Sequence, residues 1–312
     1  MNKKIFLQNN FDNNNELYSV ISPTSAAFVG LVIVFILYQF IGGFISLTIF
    51  GTDIKQANLT ALRLFTIAGQ ILFILLPALI LTRMIYFDIS KVIRFNKTRK
   101  WDIPIFTLGL IFLFPLIEVY LFLQNALITK LASSSEFFQS IKNILDELDK
   151  LIESSFTNIL VAHNPIEFIF VVLVVCVTPA ICEEVFFRGY IQKSFELKLK
   201  AKWGIFLTAL FFGLYHFNPY ATIPLIALGL YFGYAIYKTN SIFVVIILHF
   251  LTNFFSTSAF QLLGSEEIMD SEMIIDSSEL DYLILFSILL VIFSSFIYFV
   301  NRYYKKKNEI KQ

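Results

Sequence analysis

TPAICEEVFFRGY, residues 178–190, closes a long apolar run and decides how the rest of the chain is to be read. Two adjacent carboxylates, Glu183 and Glu184, stand where a run of that length would be surrounded by lipid, and Arg188 follows close behind. A charged side chain at a bilayer centre costs at least ~2.5–3.5 kcal/mol even on a lenient insertion scale. A pair of them is therefore not there for packing. On a helix Glu184 and Arg188 are four apart with the acid first, the better orientation for an ion pair. Glu183 projects roughly 100° away. Glu184 is thus expected to be neutralised by Arg188, leaving Glu183 free for chemistry.

Outward from this stretch the chain reads as membrane. Of its 312 residues, 57% are hydrophobic, 15% are charged and 37 are Phe. With a mean hydropathy of +0.73 and recurring apolar runs longer than ~18 residues, this is an all-α polytopic membrane protein. A net charge of +1 leaves no electrostatic footprint for nucleic acid, and no polar stretch is long enough to bury a soluble core. About eight transmembrane helices are expected, at 21–50, 61–86, 103–128, 166–187, 203–217, 222–237, 241–255 and 282–300. A polar arm covers 1–20, and the first apolar run is too long for a signal-peptide core, so it is read as a retained span. An N-terminal transmembrane region at 21–157 precedes a motif-bearing core at 158–300, and 301–312 is a basic tail. One amphipathic extramembrane helix is expected at about 131–155, where Phe137, Ile141, Ile144, Leu145, Leu148, Leu151 and Ile152 recur among charges. It lies on the membrane surface or over the bundle; a connector packed on other loops is an equal reading. The basic loop at 83–100, the basic segment at 188–202, Lys238 and the tail all fall on one side of an eight-span arrangement. The positive-inside rule makes that side, and both termini, cytoplasmic.

Polar groups within the spans carry the chemistry. His163 lies outside them and reads as a surface residue. His216 follows Phe212 by four, and His249 precedes Asn253 by four, so the latter two share one face of their span. A carboxylate in a low-dielectric site accepts a proton from water, a histidine can share and orient that water, and a His/Asn pair supplies donors for a developing oxyanion. No Gly-x-Ser-x-Gly or Ser/Lys nucleophile pattern is present in these spans, and Cys176 and Cys182 read as inert thiols. A metal alternative stands beside this one. Glu183, His216 and His249 could form a two-histidine, one-carboxylate site, with zinc as its metal, although His-Glu-x-x-His is absent. No cofactor is otherwise called for.

Glu183-Glu184-x-x-x-Arg188, Phe212-x-x-x-His216 and His249-x-x-x-Asn253, in that order on successive late spans, resemble the CAAX-processing and bacteriocin-processing (CPBP) endopeptidases, the type II CAAX prenyl endopeptidase family of intramembrane glutamate proteases. Each motif alone is weak, and the three in order are specific. The resemblance covers about 166–255 and leaves the first three spans unmatched. It implies Glu183 and His216 as the water-activating pair, His249 and Asn253 as the oxyanion site, and Glu184 and Arg188 as supporting residues with Phe212. It implies a membrane-associated peptide or lipidated protein as substrate, cleaved within the bilayer of a bacterial plasma membrane. Metal dependence stays open, because some descriptions of the family include it. The rival readings are a proton-coupled transporter using the same carboxylate and histidines as a relay, and a catalytically silent scaffold or bacteriocin immunity protein. One tension is visible: a span ending at 187 puts Glu183 near one membrane face, while His216 falls near the opposite end of its own span.

Overall fold

The computed structural model describes residues 17–51, 57–269 and 278–309, and every regular element among them is a helix. Residues 1–16 of the expected arm, 270–277 of the acidic stretch and 310–312 of the tail lie outside the described residues. The helices are α1 Pro23–Phe50 and α2 Leu59–Tyr86, α3 Ile89–Ile93, α4 Asp102–Ala132, α5 Glu136–Leu160 and α6 Pro165–Glu196. They continue with α7 Ala201–Leu214, α8 Thr222–Thr239, α9 Ile242–Met269 and α10 Glu279–Glu309. Among the described residues, six (α1, α2, α4, α6, α9 and α10) are long and apolar enough to cross a membrane, while α7 and α8 are shorter and form a hairpin. The protein is an all-α, integral multi-pass membrane protein.

Side-chain caps fix several helix starts. Asn58 accepts from Ala61 N at 3.0 Å to open α2, and Asn164 accepts from Ile166 N and Glu167 N ahead of Pro165 to open α6. Along α6, Val185, Phe186, Phe187, Tyr190, Ile191 and Phe195 are all buried, the mark of a helix enclosed on every side. α10 is the opposite, presenting Leu283, Ile288 and Val291 outward as a lipid-facing helix does.

Three expected ends move. The 166–187 span runs on to Glu196, because Arg188, Gln192 and Ser194 are packed inside the bundle rather than solvated. The 203–217 span stops at Leu214, and His216 sits in the turn that follows. The tail expected from 301 is the last part of α10, helical to Glu309. These shifts resolve the mismatch in depth. Glu183 and His216 each lie roughly 20 Å along their helices from the α6–α7 junction, at ~1.5 Å per residue. That junction is held down by a buried ion pair between Arg94 and Glu196 and by Tyr86 Oη donating to Ser194 Oγ at 2.8 Å. Close backbone approach joins the hairpin: a Cβ on Gly229 of α8 would lie 3.0 Å from Ala209 Cα of α7.

Wide turns, in which N–H bonds five residues back, interrupt the helices that build the centre. They occupy Ile36–Gly42 in α1, Ile71–Leu75 in α2, and Leu173–Val177 and Val185–Ile191 in α6. Each holds an extra residue per turn and is a common companion of functional sites.

The amphipathic helix α5 forms slightly later than expected and packs with its polar side inward. Tyr220 Oη donates to Asp146, and Asp149 takes a hydrogen bond from Asn218. Both bonds go to the turn that carries His216 into α8. The apolar stripe faces away from the protein, with Phe137 68% and Ile144 57% exposed. That orientation suits a bilayer surface and is the reverse of a packed soluble connector. The far end of α5 is clamped by buried Arg63 of α2, which donates to the carbonyls of Ile159 and Val161, and by Gln261 Nε2 donating to Ala162 O at 2.6 Å. Burial raises the Asp146 carboxyl, but hydrogen bonds from Lys142 and Tyr220 and the charges of Lys142 and Lys150 outweigh it, holding the group below the usual carboxylate range. A depressed native value means the link is present at neutral pH and lost as pH falls through that value.

Candidate active site

Two polar clusters converge on α6. The first is built around Glu183. His216 presents Nε2 at 4.0 Å from Glu183 Oε2, and its Nδ1 is bonded to Phe212 O at 2.7 Å, one turn back on α7. That backbone bond directs the Nδ1 proton to a carbonyl and leaves the Nε2 lone pair facing the carboxylate. On the other side, Gln70 Nε2 of α2 donates to Glu183 Oε1 at 3.2 Å and lies 3.5 Å from Tyr38 Oη of α1. Glu183 Oε2 is buried and has no hydrogen-bond partner among the described residues. One oxygen is thus held and the other left open beside the histidine.

The second cluster is built around Glu184. Arg188 Nη1 donates to Glu184 Oε1 at 3.0 Å, with both side chains fully buried. The expected ion pair is present, but it is not alone: His249 Nδ1 of α9 lies 2.8 Å from the same oxygen. Arg188 Nε and Nη2 find no hydrogen-bond partner among the described residues. The guanidinium is instead caged by rings, with its Cζ 4.1 Å from the Phe212 centroid and 5.4 Å from that of Phe232. Desolvated contacts of this kind contribute about 2 kcal/mol. Phe212 therefore supports the site twice, through its ring under Arg188 and through the carbonyl that orients His216.

Asn253, one turn beyond His249 on α9, donates Nδ2 to Val175 O in the wide turn of α6 at 2.9 Å. An amide NH₂ carries two hydrogens, so one remains after this bond. His249 and Asn253 share a helix face as expected, but each is held by a different group on α6. Among the described residues, no three His, Cys, Asp or Glu side chains come together as a metal-holding set. Cys176 and Cys182 are buried free thiols. Glu118, a carboxylate within α4, is exposed.

Gln70 is not marked by any of the sequence motifs. It is the polar member of an apolar span, seven residues after the equally buried Arg63. That two-turn spacing on one face is the signal that was available.

A family model described as type II CAAX prenyl endopeptidase Rce1-like matches residues 165–255. Over these residues the chain resembles that family. No curated protein and no solved structure matches the chain. The Rce1-like segment opens with α6 and closes within α9, so it contains Glu183, Glu184, Arg188, Phe212, His216, His249 and Asn253. Gln70, Tyr38 and α5 lie outside it. The match supports a peptidase of the CAAX-protease type acting on a membrane-associated substrate.

Proposed function

We propose that the protein is an intramembrane endopeptidase. It hydrolyses a peptide bond of a membrane-associated substrate, of the lipidated C-terminal (CAAX) or bacteriocin-like kind, using water activated by Glu183 and His216. The observation that carries this reading is the 4.0 Å between Glu183 Oε2 and His216 Nε2. It is too long for a direct hydrogen bond and suits a water held about 2.8 Å from each. Glu183 takes a proton from that water as its oxygen bonds to the scissile carbonyl carbon, and the carbonyl electron pair moves onto its oxygen. The remaining hydrogen of the Asn253 amide and the ring of His249 meet this oxyanion. Collapse of the intermediate breaks the C–N bond, and the proton passes from Glu183 to the departing amine.

The test is hydrolysis by purified protein of fluorogenic lipidated C-terminal peptides, run beside a library of unlipidated ones, with the new termini identified by mass spectrometry. Cleavage of the lipidated set that is absent with Glu183→Gln is expected. Failure to cleave any peptide, or cleavage unaffected by that substitution, would sink the reading.

Gln70 has a place in the same scheme, since it fixes the carboxylate oxygen that does not face the histidine. A hydrogen bond to a charged group is worth ~1.5–3 kcal/mol. Gln70→Leu is accordingly expected to lower kcat about tenfold or more, with KM little changed. Wild-type kcat in this variant would remove Gln70 from the machinery.

A further inference from the structure

At the end of the bundle that gathers the basic segments, a crevice of about 510 Å³ opens between the last turns of α8 and α10. Lys238, Arg302 and Lys305 line it, with Tyr237, Tyr298 and Asn301 between them. None of the three cations forms an ion pair among the described residues. Two are held against rings instead: Lys238 Nζ lies 5.5 Å from the centroids of Tyr234 and Tyr237, and Arg302 Cζ 6.0 Å from that of Tyr298. Tyr304, also lining the crevice, donates to Asp102 Oδ1 at 2.7 Å. Asp102 is fully buried. It also accepts from the backbone N–H of Arg99, whose own Nη1 is buried without a hydrogen-bond partner among the described residues.

The depth of the crevice follows from the two tryptophans of the chain. Trp101 stands immediately before α4 and Trp203 in the first turn of α7, both more than half exposed. Each lies under the ammonium of the lysine before it, Lys100 at 5.5 Å and Lys202 at 5.7 Å. Exposed indoles with adjacent lysines mark the membrane–water boundary. α4 and α7 begin at the same end of the bundle as α8 and α10 finish, so the crevice opens at headgroup level.

We propose that this crevice binds a phosphate group, as a phosphomonoester or phosphodiester anion. A guanidinium matches phosphate oxygens with paired N–H donors, the two ammonium groups add compact positive charge, and Asn301 supplies an amide donor. The volume is that of a small-molecule site. At this depth the abundant source of phosphate is the headgroup of an anionic phospholipid, and basic pockets between helix ends take such headgroups. The site is separate from the Glu183 and Glu184 clusters and does not depend on the peptidase reading.

The test uses the full chain purified from bilayers of equal zwitterionic and anionic phospholipid, with retained lipid counted by native mass spectrometry. Wild type is expected to keep the anionic lipid preferentially. The double variant Lys238→Gln, Arg302→Gln is expected to lose that preference by roughly thirtyfold, two cations' worth at a membrane surface. Lys305→Gln alone is expected to weaken it severalfold. A second arm adds inorganic phosphate to the delipidated protein in detergent. Saturable phosphate binding that Arg302→Gln abolishes, with no lipid preference, supports the site and assigns its source to soluble phosphate. Equal retention of both lipids together with no phosphate binding overturns the proposal. So does a double variant that keeps the wild-type preference while holding its fold by size exclusion and melting temperature.

Discussion

Glu183→Gln is expected to abolish turnover and leave the fold intact, whereas Glu184→Gln is expected to unsettle the fold itself. Glu183 receives a hydrogen bond from Gln70 and otherwise opens toward His216. An amide there keeps the volume but cannot accept a proton from water, a loss of about 10²–10⁴-fold on general-base chemistry. Glu184 is fully buried and compensates Arg188, which among the described residues has no other carboxylate within ion-pair distance. Removing one partner of a buried pair costs ~3–5 kcal/mol, because the remaining charge is stranded. The same change weakens the bond that holds His249, so some turnover goes with the stability. Melting temperature and turnover of both variants in detergent separate the two carboxylates. Equal loss of turnover at unchanged melting would contradict this division.

The second large effect is expected at His216, and it bears on whether the site works with a bound metal. His216→Ala should rank with Glu183→Gln, since it removes the group that shares the attacking water. Asn253→Ala should lower kcat by ~10²–10³-fold with a smaller change in KM, the size of one lost oxyanion donor. His249→Ala should cost turnover and also stability, because its ring packs against Phe232 and bonds Glu184. If Glu183, His216 and His249 hold zinc instead, both histidine variants lose metal, and wild-type activity is removed by chelation and restored by adding zinc back. Metal content and turnover of wild type and the three variants decide it. Stoichiometric zinc with that reversal would overturn the glutamate mechanism and leave the peptidase assignment standing.

What could be read from sequence was what lies within one helix. Glu184 and Arg188 are four apart, and the pair is present as spacing demanded. Phe212 and His216, also four apart, are joined through the Phe212 carbonyl. The amphipathic period of 136–160 was legible for the same reason. Contacts between helices distant in sequence were not. The bond between His249 and Glu184, and the bond from Gln70 to Glu183, bridge 65 and 113 positions respectively, and no periodicity carries that information. Helix ends were misplaced where charged and polar residues are packed inside: Arg188, Gln192 and Glu196 look like a solvated flank in sequence but are paired inside the bundle.

The wide turns of α6 have a consequence for how such sites change over time. Leu173–Val177 and Val185–Ile191 bracket the two carboxylates, and the first supplies the Val175 carbonyl to which Asn253 is bonded. A residue lost within either turn is absorbed by a return to ordinary winding, but one lost from the ordinary turn between them, ahead of Glu183, would swing the flanking helix by ~100° about its axis. Every motif residue would survive such a deletion, yet the carboxylates and their partners would no longer meet. The site is therefore encoded in residue count as well as residue identity, and a lineage can switch it off by a one-codon deletion that no comparison of motifs would notice.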